Sequence, residues 1–117
     1  MGKTFAEKAL GRAAGYEVVT NQVVTVEPDW CMSHDNGAPI ARTFKKIGVK
    51  NVWKPERIVF ILDHAVPAPS SDHAVNHKEV REFSAEQGIK HFYDVTSDGG
   101  VCHQKMCEEG FALPGLI

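Results

Sequence analysis

Ile58-Val59-Phe60-Ile61-Leu62 is an unbroken apolar run, and it closes on Asp63-His64. Three of the five residues are β-branched, which reads as a strand buried on both faces, the kind found in parallel sheets. Open α/β sheets bind ligands beyond the carboxyl ends of their strands. An acid followed by an imidazole at that place suits acid–base chemistry, because the carboxylate can orient the ring and hold its proton near neutral pH. For so short a motif the alternative is a plain strand-end turn.

The flanking segments supply helices. Thr4-Phe5-Ala6-Glu7 fits a capping box, and the helix it opens should pass Ala9, Leu10 and Ala13 and stop at Gly15. Val18-Val19-Thr20 and Val23-Val24-Thr25-Val26 read as extended segments broken by Asn21-Gln22. A second helix is expected from about Asn36 to Gly48, with Ile40, Phe44 and Ile47 on one face packed into the core. Pro67 and Pro69 stiffen residues 65–70. Ser70 or Ser71 then caps a longer helix ending at Gly88, with Val80 and Phe83 facing inward. Residues 89–95 form a further strand candidate, Thr96-Ser97-Asp98-Gly99-Gly100 a turn, and residues 101–109 a short helix. Leu113-Pro114-Gly115-Leu116-Ile117 reads as the entry to another strand, so the chain is expected to be truncated there. The alternation predicts an α/β fold, a three-layer α/β/α sandwich around a largely parallel sheet. Asp-His-Ala-Val at 63–66 recurs at 72–75, too short a unit to imply repeats.

Composition narrows the function classes. The 117 residues amount to one domain or part of one, 43% apolar and 24% charged. A net charge of −2, with Lys3, Arg12, Lys45, Lys46 and Lys50 scattered or paired, predicts no nucleic-acid partner and no membrane surface. No apolar run reaches transmembrane length, and the N-terminus lacks a signal-peptide core. Gly2 invites myristoylation, but Ala6 fills the slot where that motif wants Ser or Thr. A cytosolic (cytoplasmic) location is expected. Cys31, Cys102 and Cys107 are an odd, sparse set, which favours reduced thiols over disulfides. The 102–107 spacing matches neither a zinc finger nor a redox C-x-x-C pair.

Three of the six histidines sit at junctions between elements, where functional residues concentrate. His34 lies in Met32-Ser33-His34-Asp35-Asn36-Gly37, a polar loop before a helix; His64 ends the buried strand; His103 follows a glycine pair at a helix start, where free amides favour an anion. Each could equally be a solvent-facing histidine with local hydrogen bonds. His73, His77 and His91 lack such settings and read as surface residues. His73 and His77 have helical i, i+4 spacing but lack the Glu of a zinc-protease helix, so no metal site is expected there.

Taken in order, these motifs resemble one family. Ser33-His34-Asp35, Leu62-Asp63-His64, Gly99-Gly100-Val101-Cys102-His103-Gln104 and Glu109-Gly110-Phe111-Ala112-Leu113-Pro114-Gly115 are similar to the start of the large subunit of the aconitase and 3-isopropylmalate dehydratase family. Gly2-Lys3-Thr4 and Glu7-Lys8 add to the likeness, which runs over essentially the whole chain.

The resemblance implies a hydro-lyase that moves water across a carbon–carbon double bond of a di- or tricarboxylic acid. In the family, a [4Fe–4S] cluster with one iron lacking a cysteine acts as Lewis acid on the substrate hydroxyl, and a serine serves as base. By the same resemblance Asp63 and His64 match the pair that protonates the departing hydroxyl, His103 a second active-site histidine, and His34 a substrate-contacting position. The partner implied is a dehydratase small subunit or swivelling domain.

Departures from the family pattern bear on this reading. The Gly-Asp-Ser-His motif, the cluster cysteines and the catalytic serine of the family have no counterpart here, and Cys31, Cys102 and Cys107 do not match the cluster ligands. The chain is therefore expected to be the N-terminal portion, residues 1–117, of such a large subunit, holding no cluster and inactive alone. The competing reading is a non-catalytic module for a carboxylate metabolite or a protein. A small hydrolase using Cys102 and His103 is disfavoured, because helix neighbours point about 100° apart.

Overall fold

The computed structural model describes residues 2–95 and 98–117. In chain order the elements are α1 (Phe5–Ala14), β1 (Cys31–Ser33), α2 (Gly37–Ile47), β2 (Ile58–Ile61), α3 (Ser71–Gln87), β3 (His91–Tyr93) and α4 (Cys102–Glu108), with one 3-10 turn over Pro55–Arg57. The chain divides into two compact units, Cys31–Lys105 and a second made of Met1–Trp30 with Met106–Ile117. No helix among the described residues is long and apolar enough to cross a membrane.

The larger unit is built on a parallel sheet of order β1-β2-β3. Cys31 pairs with Ile58 and Ser33 with Phe60 on one side of β2, while Val59 pairs with His91 and Ile61 with Tyr93 on the other. The apolar run is the central strand, and Val59, Phe60, Ile61 and Leu62 are all buried. Alternation divides them: Phe60 and Leu62 share a cluster with Ala38 and Ala41 of α2, Val80 and Phe83 of α3, and Ile89. Phe83 meets Phe60 and Phe44 edge-on, at 6.4 and 5.6 Å between centroids.

Gly37 explains how α2 comes so near. A Cβ there would sit 2.9 Å from Phe60 Cε1 and 3.0 Å from Val80 Cγ2, closer than carbon atoms tolerate. The buried residues of α2 are accordingly the small ones, Gly37, Ala38 and Ala41. The expected core face of Ile40, Phe44 and Ile47 is corrected: Ile40 and Ile47 are exposed, and only Phe44 is partly buried. Spacing alone identified an apolar stripe, but close approach to the sheet selected the face with least bulk.

Helix α3 starts and stops as the sequence implies. The Ser70 side chain accepts from the His73 amide, and Gly88 ends the helix in the left-handed region at φ 68°. Val80 and Phe83 face inward as expected, and Ser84 and His77 share their face. His77 is thus not the surface residue that its sequence setting suggested. Three residues before Val80, it lies under the helix.

In the smaller unit, Thr4 and Glu7 complete the capping box of α1, and Gly15 caps its other end at φ 76°. Arg12 in the last turn donates to Asp29 at 2.7 Å and to the Gly115 carbonyl at 2.7 Å. The valine-rich stretch 18–26 forms no ladder among the described residues. It turns at Asn21, φ 67°, and leaves Val23 almost wholly exposed. Residues 113–117 form a turn rather than a strand, with the Leu116 amide donating to the Leu113 carbonyl. β1 was not anticipated, since Cys-Met-Ser carries little strand signal. Of the expected turn at 96–100, Thr96 and Ser97 lie outside the described residues.

Candidate functional site

β1 and β2 are adjacent and parallel, so the loops that leave their carboxyl ends emerge side by side. One loop carries His34 and Asp35, the other Asp63 and His64. Asp35 bridges the two: Oδ2 accepts the amide of His64 at 2.7 Å and that of Asp63 at 3.2 Å, and Oδ1 accepts the amide of Ala65 at 3.3 Å. His77 Nε2 reaches Oδ1 at 2.7 Å from α3. Desolvation pushes the Asp35 carboxyl up, but the His64 amide, His77 and the Asp63 amide together bring it below the usual carboxylate range.

Asp63 is arranged in the same manner. One oxygen lies 2.6 Å from His64 Nδ1, and the other accepts the Cys102 amide at 2.6 Å. Burial pushes this carboxyl up, and the Cys102 amide and His64 outweigh it, so Asp63 too is held below its ordinary value. An ionised carboxylate only accepts, so the proton between the two residues sits on His64 Nδ1. That leaves Nε2 as the nitrogen which exchanges protons with the outside. The hydrogen bond to Asp63 and its charge raise the His64 pKa. The ring is half exposed while the Asp63 side chain is 8% exposed: a buried orienter behind an accessible imidazole.

The His34 ring stacks on His64, with centroids 3.9 Å and planes 15° apart. His34 Nδ1 is buried without a hydrogen-bond partner, 3.9 Å from Asp35 Oδ2. A cleft of about 310 Å³ opens where His34, His64 and His77 converge on Asp35. A second, of about 270 Å³, is bounded by Leu62, Asp63 and the Gly99-Gly100-Val101 segment.

The structure therefore brings together His34, Asp63 and His64 of the residues singled out in the sequence. His103 is exposed on α4, next to the residue whose amide binds Asp63, and does not join this cluster among the described residues. The free amides expected at that helix start are already engaged in part, by a carboxylate of the protein itself. Asp35 and His77 were missed. Asp35 could have been found as an acid at the end of a strand, had so short a strand been recognised. His77 could have been found by counting three back from Val80.

One ligand atom from each of His34, Asp35, Asp63 and His64 lies within 4.8 Å of the others, a spacing that a metal could span. Every carboxylate oxygen involved already accepts at least one N–H, so a cation would compete with these donors. The arrangement suits proton handling better than metal binding. Of the His73–His77 pair, His77 Nε2 is engaged by Asp35 and His73 Nδ1 lies 2.8 Å from Ser70 Oγ.

No family model matches the chain. Among known proteins it is 48% identical, over its whole length, to the 3-isopropylmalate dehydratase large subunit 1 of Methanopyrus kandleri. It is 45% identical, again over its whole length, to a probable 3-isopropylmalate dehydratase large subunit of Methanothermobacter thermautotrophicus. Over 95% of the chain it is 40% identical to a probable methanogen homoaconitase large subunit of the same organism. The chain spans 27–28% of the length of these relatives.

Proposed function

The chain belongs to the aconitase and 3-isopropylmalate dehydratase family, matching the N-terminal part of its large subunit, and we propose that it supplies the acid side of a hydro-lyase active site. The reaction would dehydrate, and in reverse hydrate, a malate-type di- or tricarboxylic hydroxy acid. His64 Nε2 carries the proton that the departing hydroxyl takes up, so that hydroxide leaves as water. Asp63 fixes the ring by its Nδ1 proton and stabilises the charged form that must be present before transfer.

The observation that carries this reading is the His64 Nδ1–Asp63 contact of 2.6 Å, with the carboxylate anchored from behind by the Cys102 amide. His34, stacked on the same ring, is assigned a substrate contact. His103, at the head of α4, is assigned the second active-site histidine. The base that removes the carbon-bound proton would come from a small subunit or swivelling domain.

The residues of this chain do not make a ligand set for the [4Fe–4S] cluster that the family implies. Cys31 opens β1 at the amino end of the sheet, whereas Cys102 is buried beside Asp63 at the carboxyl end. Among the described residues no cysteine joins a group of three potential ligands. A cluster would draw its ligands from the remainder of a full-length large subunit.

The test is dehydration kinetics of a large subunit carrying this chain, assembled with its small subunit, on isopropylmalate and homocitrate. His64→Ala should cut kcat far more than it raises KM. A loss confined to KM would remove the general-acid role.

A further inference from the structure

We propose that Asp35 and His77 are positioning residues, a second carboxylate–imidazole pair that holds the Asp63-His64 turn and the His64 ring in register. The inference rests on the same site as the proposed function but not on its reaction.

Three consecutive backbone amides, those of Asp63, His64 and Ala65, turn toward one carboxylate. Fixing three successive N–H directions fixes the backbone from which the His64 side chain projects. His77, 5% exposed, then holds Oδ1 of that carboxylate from α3. Its bond sets the rotation of the Asp35 carboxylate and so decides which oxygen meets which amide. Asp35 is also covalently next to His34, whose ring lies on that of His64. One loop thus governs both the backbone under His64 and the plane of its ring. Groups that transfer protons must be held within about half an ångström of their working geometry, which requires supporting contacts of this kind.

The chemistry of the pair argues against a role in bulk stability alone. A carboxylate of which 10% is exposed costs free energy to bury unless its lone pairs are filled. An apolar side chain would pack the same space without that cost. Four N–H donors aimed at one acid suit directional control, because hydrogen bonds are angular and hydrophobic contacts are not.

The experiment is nuclear magnetic resonance on the 117-residue chain, with His77→Leu, His77→Gln and, as a core control, Val80→Ala. In the unmodified chain the His64 ring should show the Nδ1–H tautomer and cross-relaxation with the His34 ring. The His64 and Ala65 amides should exchange at least roughly tenfold more slowly than those of Ala68 and Ser70. His77→Leu should abolish the single tautomer and the ring contact and speed exchange of both amides by about tenfold, while His77→Gln, which keeps an N–H donor, should restore them. Val80→Ala should lower the melting temperature without changing the His64 signature.

The proposal is overturned if His77→Leu leaves the tautomer and ring contact intact, or if Val80→Ala disturbs them equally. Should His77→Leu not fold, the unmodified chain decides: unprotected amides at 64 and 65 overturn the proposal. None of these readouts involves turnover, so a failure here and a failure of the hydro-lyase assay are separate outcomes.

Discussion

Asp63 and Cys102 lie 39 residues apart in the chain, yet the carboxylate of one takes the backbone amide of the other at 2.6 Å. This bond joins the end of β2 to the head of α4. It leaves Asp63 with one oxygen for the protein backbone and one for His64. Burial, a side-chain hydrogen bond with Asp63 and the charge of that carboxylate raise the Cys102 thiol and keep it protonated beside the site.

Stability should therefore depend on pH from two sides. His64 has its pKa raised above the ordinary 6.5, so its contribution is full below that value and is lost as pH rises through the folded-state value. Asp35 and Asp63 are lowered from 3.8, so theirs is present above that value and lost as pH falls through the folded-state values. Melting temperature of the chain should pass through a maximum between the two limbs. His64→Gln should flatten the alkaline limb and leave the acid limb in place; an unchanged alkaline limb would contradict the ion pair.

The proposed acid role predicts the same loss from either member of the dyad. In a full-length enzyme Asp63→Asn keeps a side chain of the same shape but can neither stabilise charged His64 nor fix its tautomer. A fall in kcat of about 10²–10⁴-fold is expected, the range general acids supply, and His64→Ala should match it. Because the two residues act as a unit, the double variant should cost scarcely more than either single one. Full additivity in the measured kcat values would show that they work independently.

Gly37→Ala tests the close approach of α2. Its new Cβ would meet Phe60 and Val80 at 2.9 and 3.0 Å. Overpacking of this kind costs roughly 1–3 kcal/mol, more than the usual gain from placing Ala in a helix. Urea denaturation should show a lower midpoint with an unchanged slope. A stabilised variant would mean that the helix start can move away freely.

The four-ligand cluster gives a metal prediction. A site that bound zinc would raise stability by about 2.7 kcal/mol at a hundredfold excess over its dissociation constant. Because Asp35 and Asp63 already accept hydrogen bonds at every oxygen, zinc titration should leave the melting temperature unchanged. A saturable rise that vanishes in Asp35→Asn would establish coordination instead.

The local elements were legible because each has a short-range cause. Thr4 and Glu7 cap α1 within one turn, Ser70 and Gly88 bound α3, and the run from Ile58 to Leu62 could be satisfied only at the centre of a sheet. His64 and its orienting acid were legible for the same reason, being adjacent residues at the end of that strand. Cys-Met-Ser became a strand only because β2 offered it a ladder. The stripe Ile40, Phe44 and Ile47 lost its place in the core because Gly37 allowed a closer contact on another face. Asp35 and His77, separated by 42 positions, meet at 2.7 Å through the parallel crossover that lays α3 beside the strand ends. Hydrophobic period and capping act over a few residues and are written locally. The partners of a buried carboxylate are chosen by which strand ends and helix faces the tertiary fold brings within hydrogen-bond reach.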